Sequence, residues 1–294
     1  MIAILGAGSL GRLWAATLPA GQVAFVPRPE QPGWQLSYHF RPLQGSEYPV
    51  RIPWLTPACH PTLLLVTTKA GDTLSALEST LTTLPQDTPI VLFQNGLGTQ
   101  QRIAELWPDR PLLAASTTEG ANRPKPDLTV HAGQGETWIG ALNSVGQAHV
   151  PRVVDQLKQS GLNVHAEPDI LSRLWQKLVI NAGINAFTAI LNCPNGEILQ
   201  HTFYQQWIDP LCREISELLR AAGQPDQSPG ALREIIESVA HKTSANTSSM
   251  RADVLAGRST EIDFINGYLA RLGQQYKIAT PVNQMLTEQV QQLN

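Results

Sequence analysis

The feature that most narrows what this chain can fold into is the run Gly6-Ala7-Gly8-Ser9-Leu10-Gly11, which directly follows a short apolar stretch, residues 2–5, and opens a helical pattern over residues 12–18. In a strand-turn-helix unit each glycine serves a different end. Gly6 permits the tight turn, Gly8 lets the backbone approach a diphosphate, and Gly11 lets helix and strand pack closely, with the helix N-terminus facing the anion. The competing reading is an ordinary glycine turn; the position immediately after a strand favours the dinucleotide fingerprint.

Further short β-type runs at residues 23–26, 63–66, 90–93 and 112–115 alternate with helical stretches. Such alternation predicts an α/β fold whose parallel sheet is covered by helices on both faces. The Pro- and Gly-rich region 27–61 reads as a meander, and the glycine spacing over residues 130–140 as hairpin strands that nearly finish the first sheet. After Pro151 helical spacing takes over, apart from a short strand near residues 162–166. An apolar helix is predicted over residues 170–191, with further helices near 203–222, 230–240, 261–275 and 281–293. A chain of 294 residues suits two domains. We place a Rossmann-type parallel-sheet domain at residues 1–167 and an all-helical domain at 168–294.

Twenty-one Lys and Arg against 24 Asp and Glu give a net charge of -3, and no basic stripe is present, so no nucleic acid is expected as a partner. The first apolar run is too short for an export signal or a membrane span, so a cytoplasmic chain without membrane association is expected. Cys59, Cys193 and Cys212 lie far apart without His at ligand spacing, which predicts neither disulfides nor a metal site.

Ligands of open parallel sheets gather at the carboxyl ends of the strands. At the second such end the first polar residue is Arg28, whose guanidinium suits a 2′-phosphate and therefore NADP(H) over NAD(H). Glu30 competes for this position, and a solvated loop arginine is the alternative. Lys69 follows the 63–66 run and Asn95 the 90–93 run, so both fall on the same rim. Lys177, Asn181 and Asn185 recur at intervals of four residues, which puts them on one face of an otherwise apolar helix. The choice there is between a site and a solvent-facing stripe. Ser259 or Thr260 reads as an N-cap with Glu261 in the first helical turn, where the helix dipole alone would favour a carboxylate.

Gly6 to Gly11, Lys69, Gln94-Asn95-Gly96-Leu97-Gly98, Lys177-Leu178-Val179-Ile180-Asn181, Asn192-Cys193-Pro194-Asn195-Gly196-Glu197, Ser248-Ser249-Met250 and Thr260-Glu261-Ile262-Asp263-Phe264-Ile265-Asn266-Gly267 occur in an order and spacing that resembles the ketopantoate reductase family. The resemblance implies a Rossmann domain followed by a helical domain like that of 6-phosphogluconate dehydrogenase. It also implies reduction of 2-dehydropantoate to (R)-pantoate by NADPH, toward pantothenate and coenzyme A, by a monomer or homodimer. Carried onto these positions, it implies cofactor contacts from the glycine turn, Arg28, Lys69, Asn95, Ala121 and Glu261. Lys177 becomes the general acid, Glu261 an acidic position that assists the lysine, the substrate hydroxyl or the cofactor, and Asn95, Lys177, Asn181, Asn185, Asn195 and Ser249 the substrate contacts. Glu119-Gly120, beside Ala121, departs from the family pattern. The alternatives are a related reductase of another 2-oxo acid and a noncatalytic NADP-binding sensor.

Overall fold

The computed structural model describes residues 1–28 and 33–293. Glu30, the competitor of Arg28, lies outside them. The chain packs as two compact units: Met1–Gln94 with Thr99–Leu171, and Asn95–Gly98 with Ser172–Asn294.

In the first unit the strands are β1 (Ile2–Leu5), β2 (Val23–Phe25), β3 (Gln35–Arg41), β4 (Tyr48–Pro53), β5 (Leu63–Val66), β6 (Ile90–Leu92), β7 (Leu112–Thr117), β8 (Gly120–Lys125), β9 (Leu128–Gly133), β10 (Thr137–Ala141) and β11 (Val164–Ala166). The helices are α1 (Ser9–Thr17), α2 (Ala70–Leu81), α3 (Thr99–Leu106), α4 (Ser144–Gln147) and α5 (Val150–Lys158). Among the described residues the strands form two sheets, ordered β11-β10-β7-β6-β5-β1-β2 and β4-β3-β9-β8. The order of the larger sheet reverses at β1, which has β2 on one side and β5 on the other, both parallel to it. Its strands read as unbroken apolar runs because both faces are covered: Ile2 and Ile4 join one core with α1 and α5, while Ala3 and Leu5 join another with α2 and α3.

The smaller sheet lies over α1, with Tyr38, Phe40, Val50 and Ile52 in the shared core. Here the structure corrects the expected hairpin at 130–140. β9 pairs with β8 and β3, whereas β10 pairs antiparallel with β7 and parallel with β11. Alternation within a strand marks it as half-buried, but its partner is chosen by packing far away in sequence.

The second unit consists of α6 (Ile170–Leu191), α7 (Thr202–Ala221), α8 (Pro229–Lys242), α9 (Ser249–Leu255), α10 (Asn266–Tyr276) and α11 (Pro281–Gln291), with short 3₁₀ turns at Glu197–Gln200 and Ile262–Phe264. Buried Ala182, Ala186 and Ala189 line α6, and Phe187 stacks edge-on against Tyr204 at 4.9 Å. Glu214 of α7 accepts from the Val282 and Asn283 backbone N–H groups at 2.7 and 3.0 Å, capping the first turn of α11 from another helix. The helix expected over 261–275 is broken at Ile265 (φ -110°, ψ -94°), so neither Ser259 nor Thr260 is its N-cap. The Phe264 carbonyl, which would continue the helix, accepts instead from Leu97 N–H at 3.0 Å.

Candidate functional site

The three glycines of the first turn can be tested one by one. Gly6 has φ +110°, and a Cβ there would lie 2.7 Å from Thr68 N, so both conformation and space require glycine. At Gly11 a Cβ would meet the Gly6 carbonyl oxygen at 2.1 Å, which is the close contact of helix against turn. Gly8 is different. Its backbone is extended (φ -75°, ψ -170°), and an added Cβ would have nothing within 4 Å. Neither strain nor protein packing calls for glycine at this place, whereas close approach of a ligand does. No side chain caps α1 at Gly8, so the N–H groups of its first turn suit an anion. Together these features fit the diphosphate of a dinucleotide.

Along the same rim, Lys69 is the N-cap residue of α2, and its carbonyl accepts from Thr73 Oγ1 at 2.9 Å. Gln94 is buried at the end of β6, where its Nε2 donates to the carbonyls of Val66 and Thr68, both at 3.0 Å, binding the ends of β5 and β6 together. Arg28 is exposed three residues past β2. Ala121 sits in β8 opposite His131. The departure at Glu119-Gly120 has a local cause: the Glu119 side chain is buried against His131 (Oε2 to Nε2, 2.7 Å), and a Cβ on Gly120 would press the backbone of Gly133 at 2.9 Å.

In the second unit, Lys177, Asn181 and Asn185 follow one another up α6, the first two half-buried and Asn185 buried. Loss of hydration lowers the Lys177 pKa from its ordinary value to about 8, against the opposing pull of the Glu261 charge. Glu261 immediately precedes the 3₁₀ turn, and its Oε2 accepts from Asn95 Nδ2 at 3.0 Å. That contact depends on the backbone beside it. Gly96 has φ +78°, and a Cβ there would fall 2.0 Å from the Phe264 carbonyl oxygen. Glu261 thus couples Asn95 and Lys177, accepting a hydrogen bond from the first and acting through its charge on the second.

The remaining expected residues lie in other parts of the second unit, Asn195 ahead of the first 3₁₀ turn and Ser249 in α9. Asn195 is buried, with its backbone N–H on the Asn246 carbonyl and its Nδ2 on Thr243 Oγ1, each at 3.0 Å. Ser249 opens α9 with its residue exposed. The buried member of that pair is Ser248, which caps α9 and contacts Thr188 Oγ1 at 2.7 Å. The sequence reading singles out Ser249 of this run as the contact, although a serine just before a helical pattern is an N-cap signal that points to Ser248. Among the described residues no group of three or more metal-ligating side chains forms, and no helix is long and apolar enough to cross a membrane.

A sheet with its order reversed beside a glycine turn, joined to a helical unit that carries a desolvated lysine, defines the two-part dehydrogenase class. Comparison with known proteins is more specific. Residues 2–144 match the family model described as ketopantoate reductase PanE/ApbA, and residues 169–294 match its C-terminal counterpart. A 2-dehydropantoate 2-reductase of Vibrio cholerae is 36% identical over 99% of this chain and 97% of its own length. One from Archaeoglobus fulgidus is 30% identical, covering 97% and 95% respectively. Among solved structures, a D-mandelate dehydrogenase with NADH and anilino(oxo)acetate superposes with a TM-score of 0.86 at 24% identity, over 99% of this chain and 97% of that one. The chain belongs to the ketopantoate reductase family.

Proposed function

We propose that this chain reduces 2-dehydropantoate to (R)-pantoate with NADPH, as a cytoplasmic monomer or homodimer. Residues 1–167 would hold the dinucleotide and 168–294 the oxo acid. The observation that carries the reading is Lys177, an amine set in an apolar helix, desolvated to a pKa of about 8 and held near Glu261. A general acid works best when its pKa lies near the operating pH, because it is then both largely protonated and willing to give the proton up.

When bound, NADPH supplies hydride to the C2 ketone. Lys177 donates its proton to the alkoxide oxygen as charge develops there, and the ammonium stabilises that charge before transfer. Glu261 favours the protonated form of Lys177 and orients Asn95, whose other amide atoms stay available to cofactor and substrate. Asn181, Asn185, Asn195 and Ser249 provide uncharged donors and acceptors for a substrate bearing a carboxylate, a ketone and a hydroxyl. The glycine turn, Arg28, Lys69 and Ala121 contact the cofactor. Mixing enzyme, NADPH and 2-dehydropantoate should deplete NADPH absorbance faster than 2-oxo acids without the hydroxyl do. Equal or faster turnover of those analogues would assign the chain to another oxo acid.

A further inference from the structure

Trp34 is 73% exposed and immediately precedes β3, a strand whose position relative to the glycine turn can be worked out from hydrogen bonds. The Tyr38 hydroxyl donates to the Arg12 carbonyl at 2.6 Å. Tyr48, paired with Phe40 across the ladder, donates to the Ala16 carbonyl at 3.3 Å. Two residues along β3 therefore correspond to four along α1. At about 3.3 Å per strand residue and about 1.5 Å per helix residue these steps are each roughly 6 to 7 Å, so strand and helix run the same way and in step.

Extending the correspondence backwards places Trp34. It lies four residues before Tyr38, about 13 Å along the strand. From Arg12 back to Ser9, the first residue of α1, is only about 4.5 Å. Trp34 thus overhangs the space in front of the first turn of α1, roughly 9 Å beyond the end of the helix. Its ladder continues that far, because Trp54 N–H donates to the Trp34 carbonyl at 3.0 Å, and opposite residues of an antiparallel pair share a face. Trp54 and Leu36 both pack on the core that contains α1, so the indole of Trp34 is on that face too. The same Trp54 bridges Phe25, the last residue of β2, and Arg28 follows three residues later.

We propose that the Trp34 indole stacks on the adenine of the bound dinucleotide and forms the outer wall of the adenosine end of its pocket. The proposal rests on the dinucleotide reading of the glycine turn and adds a residue that the turn itself does not supply. An exposed aromatic face together with an exposed arginine after β2 matches the chemistry of a 2′-phosphorylated adenosine: a π-surface for the base and a guanidinium for the phosphate.

Binding of adenosine 2′,5′-bisphosphate and of nicotinamide mononucleotide, measured by calorimetry on the whole chain, separates the possibilities. Trp34→Ala should weaken the bisphosphate about tenfold, within the range of one base-aromatic stack, while leaving the mononucleotide unchanged. Trp34→Phe should restore most of the affinity, and the quench of indole fluorescence by the bisphosphate should shrink in both variants. Bisphosphate affinity unaltered in Trp34→Ala, or equal loss for both ligands, would overturn the proposal. So would a change of oligomeric state with nucleotide affinity kept, since the indole would then face a second chain. Failure of the unaltered protein to bind the bisphosphate would remove the dinucleotide reading itself.

Discussion

At Lys177 two opposing effects set the charge: burial favours the neutral amine and Glu261 favours the ammonium, with burial the larger. A pKa lowered to about 8 means the acid form dominates below that pH and is lost above it. Turnover should therefore hold at neutral pH and fall as pH rises through about 8, read as the alkaline limb of kcat/KM. Glu261→Gln removes the contribution that raises the lysine pKa, so the limb should move to lower pH; a limb that stays or moves upward would separate the carboxylate from the lysine. Lys177→Ala should lose about 10²- to 10⁴-fold in turnover while NADPH affinity, measured by fluorescence titration, changes little. Near-normal turnover in that variant would take the acid role from Lys177.

The glycine turn carries its prediction at the level of the strand-turn-helix element. Gly11→Ala drives a methyl into the Gly6 carbonyl and should displace α1 and lower the melting temperature. Gly8→Ala meets no protein atom, so it should melt like the parent yet bind NADPH at least several-fold more weakly. Matching losses of stability in both variants would place Gly8 in packing alone. Elements whose cause is local were legible in the sequence: α6 spans Ile170–Leu191 as its apolar run indicated, and β1 and β5 match their runs residue for residue. What escaped was set from a distance. The β8–β9 hairpin, with its exposed Asn122, Arg123, Pro124 and Lys125, shows none of the alternation that marks a half-buried strand. The break before α10 arises because Leu97, far upstream, takes the Phe264 carbonyl. In the candidate site, one helix's spacing pointed to Lys177 and Asn181, whereas the Asn95 bond to Glu261 joins positions 166 residues apart and leaves no local periodicity.

Across the whole molecule, the dinucleotide should act as a source of stability. A ligand that binds only the folded chain contributes about 2.7 kcal/mol at a hundredfold excess over its Kd. NADPH at that excess should raise the melting temperature by several degrees, and adenosine 2′,5′-bisphosphate should reproduce part of the rise. A melt indifferent to both would leave the glycine turn without its ligand. Two compact units also permit two transitions, so calorimetry should be fitted without assuming a single one.

By packing, the four residues Asn95–Gly98 belong to the second unit although the chain on either side of them builds the first. The two halves are consequently not interchangeable modules. A graft that replaced everything after residue 167 with the helical half of another reductase would keep Asn95 but discard its carboxylate, and would seat Gly96 on a foreign backbone. Recombination within this family is thus expected to succeed only when the short loop after β6 travels together with the segment around Glu261.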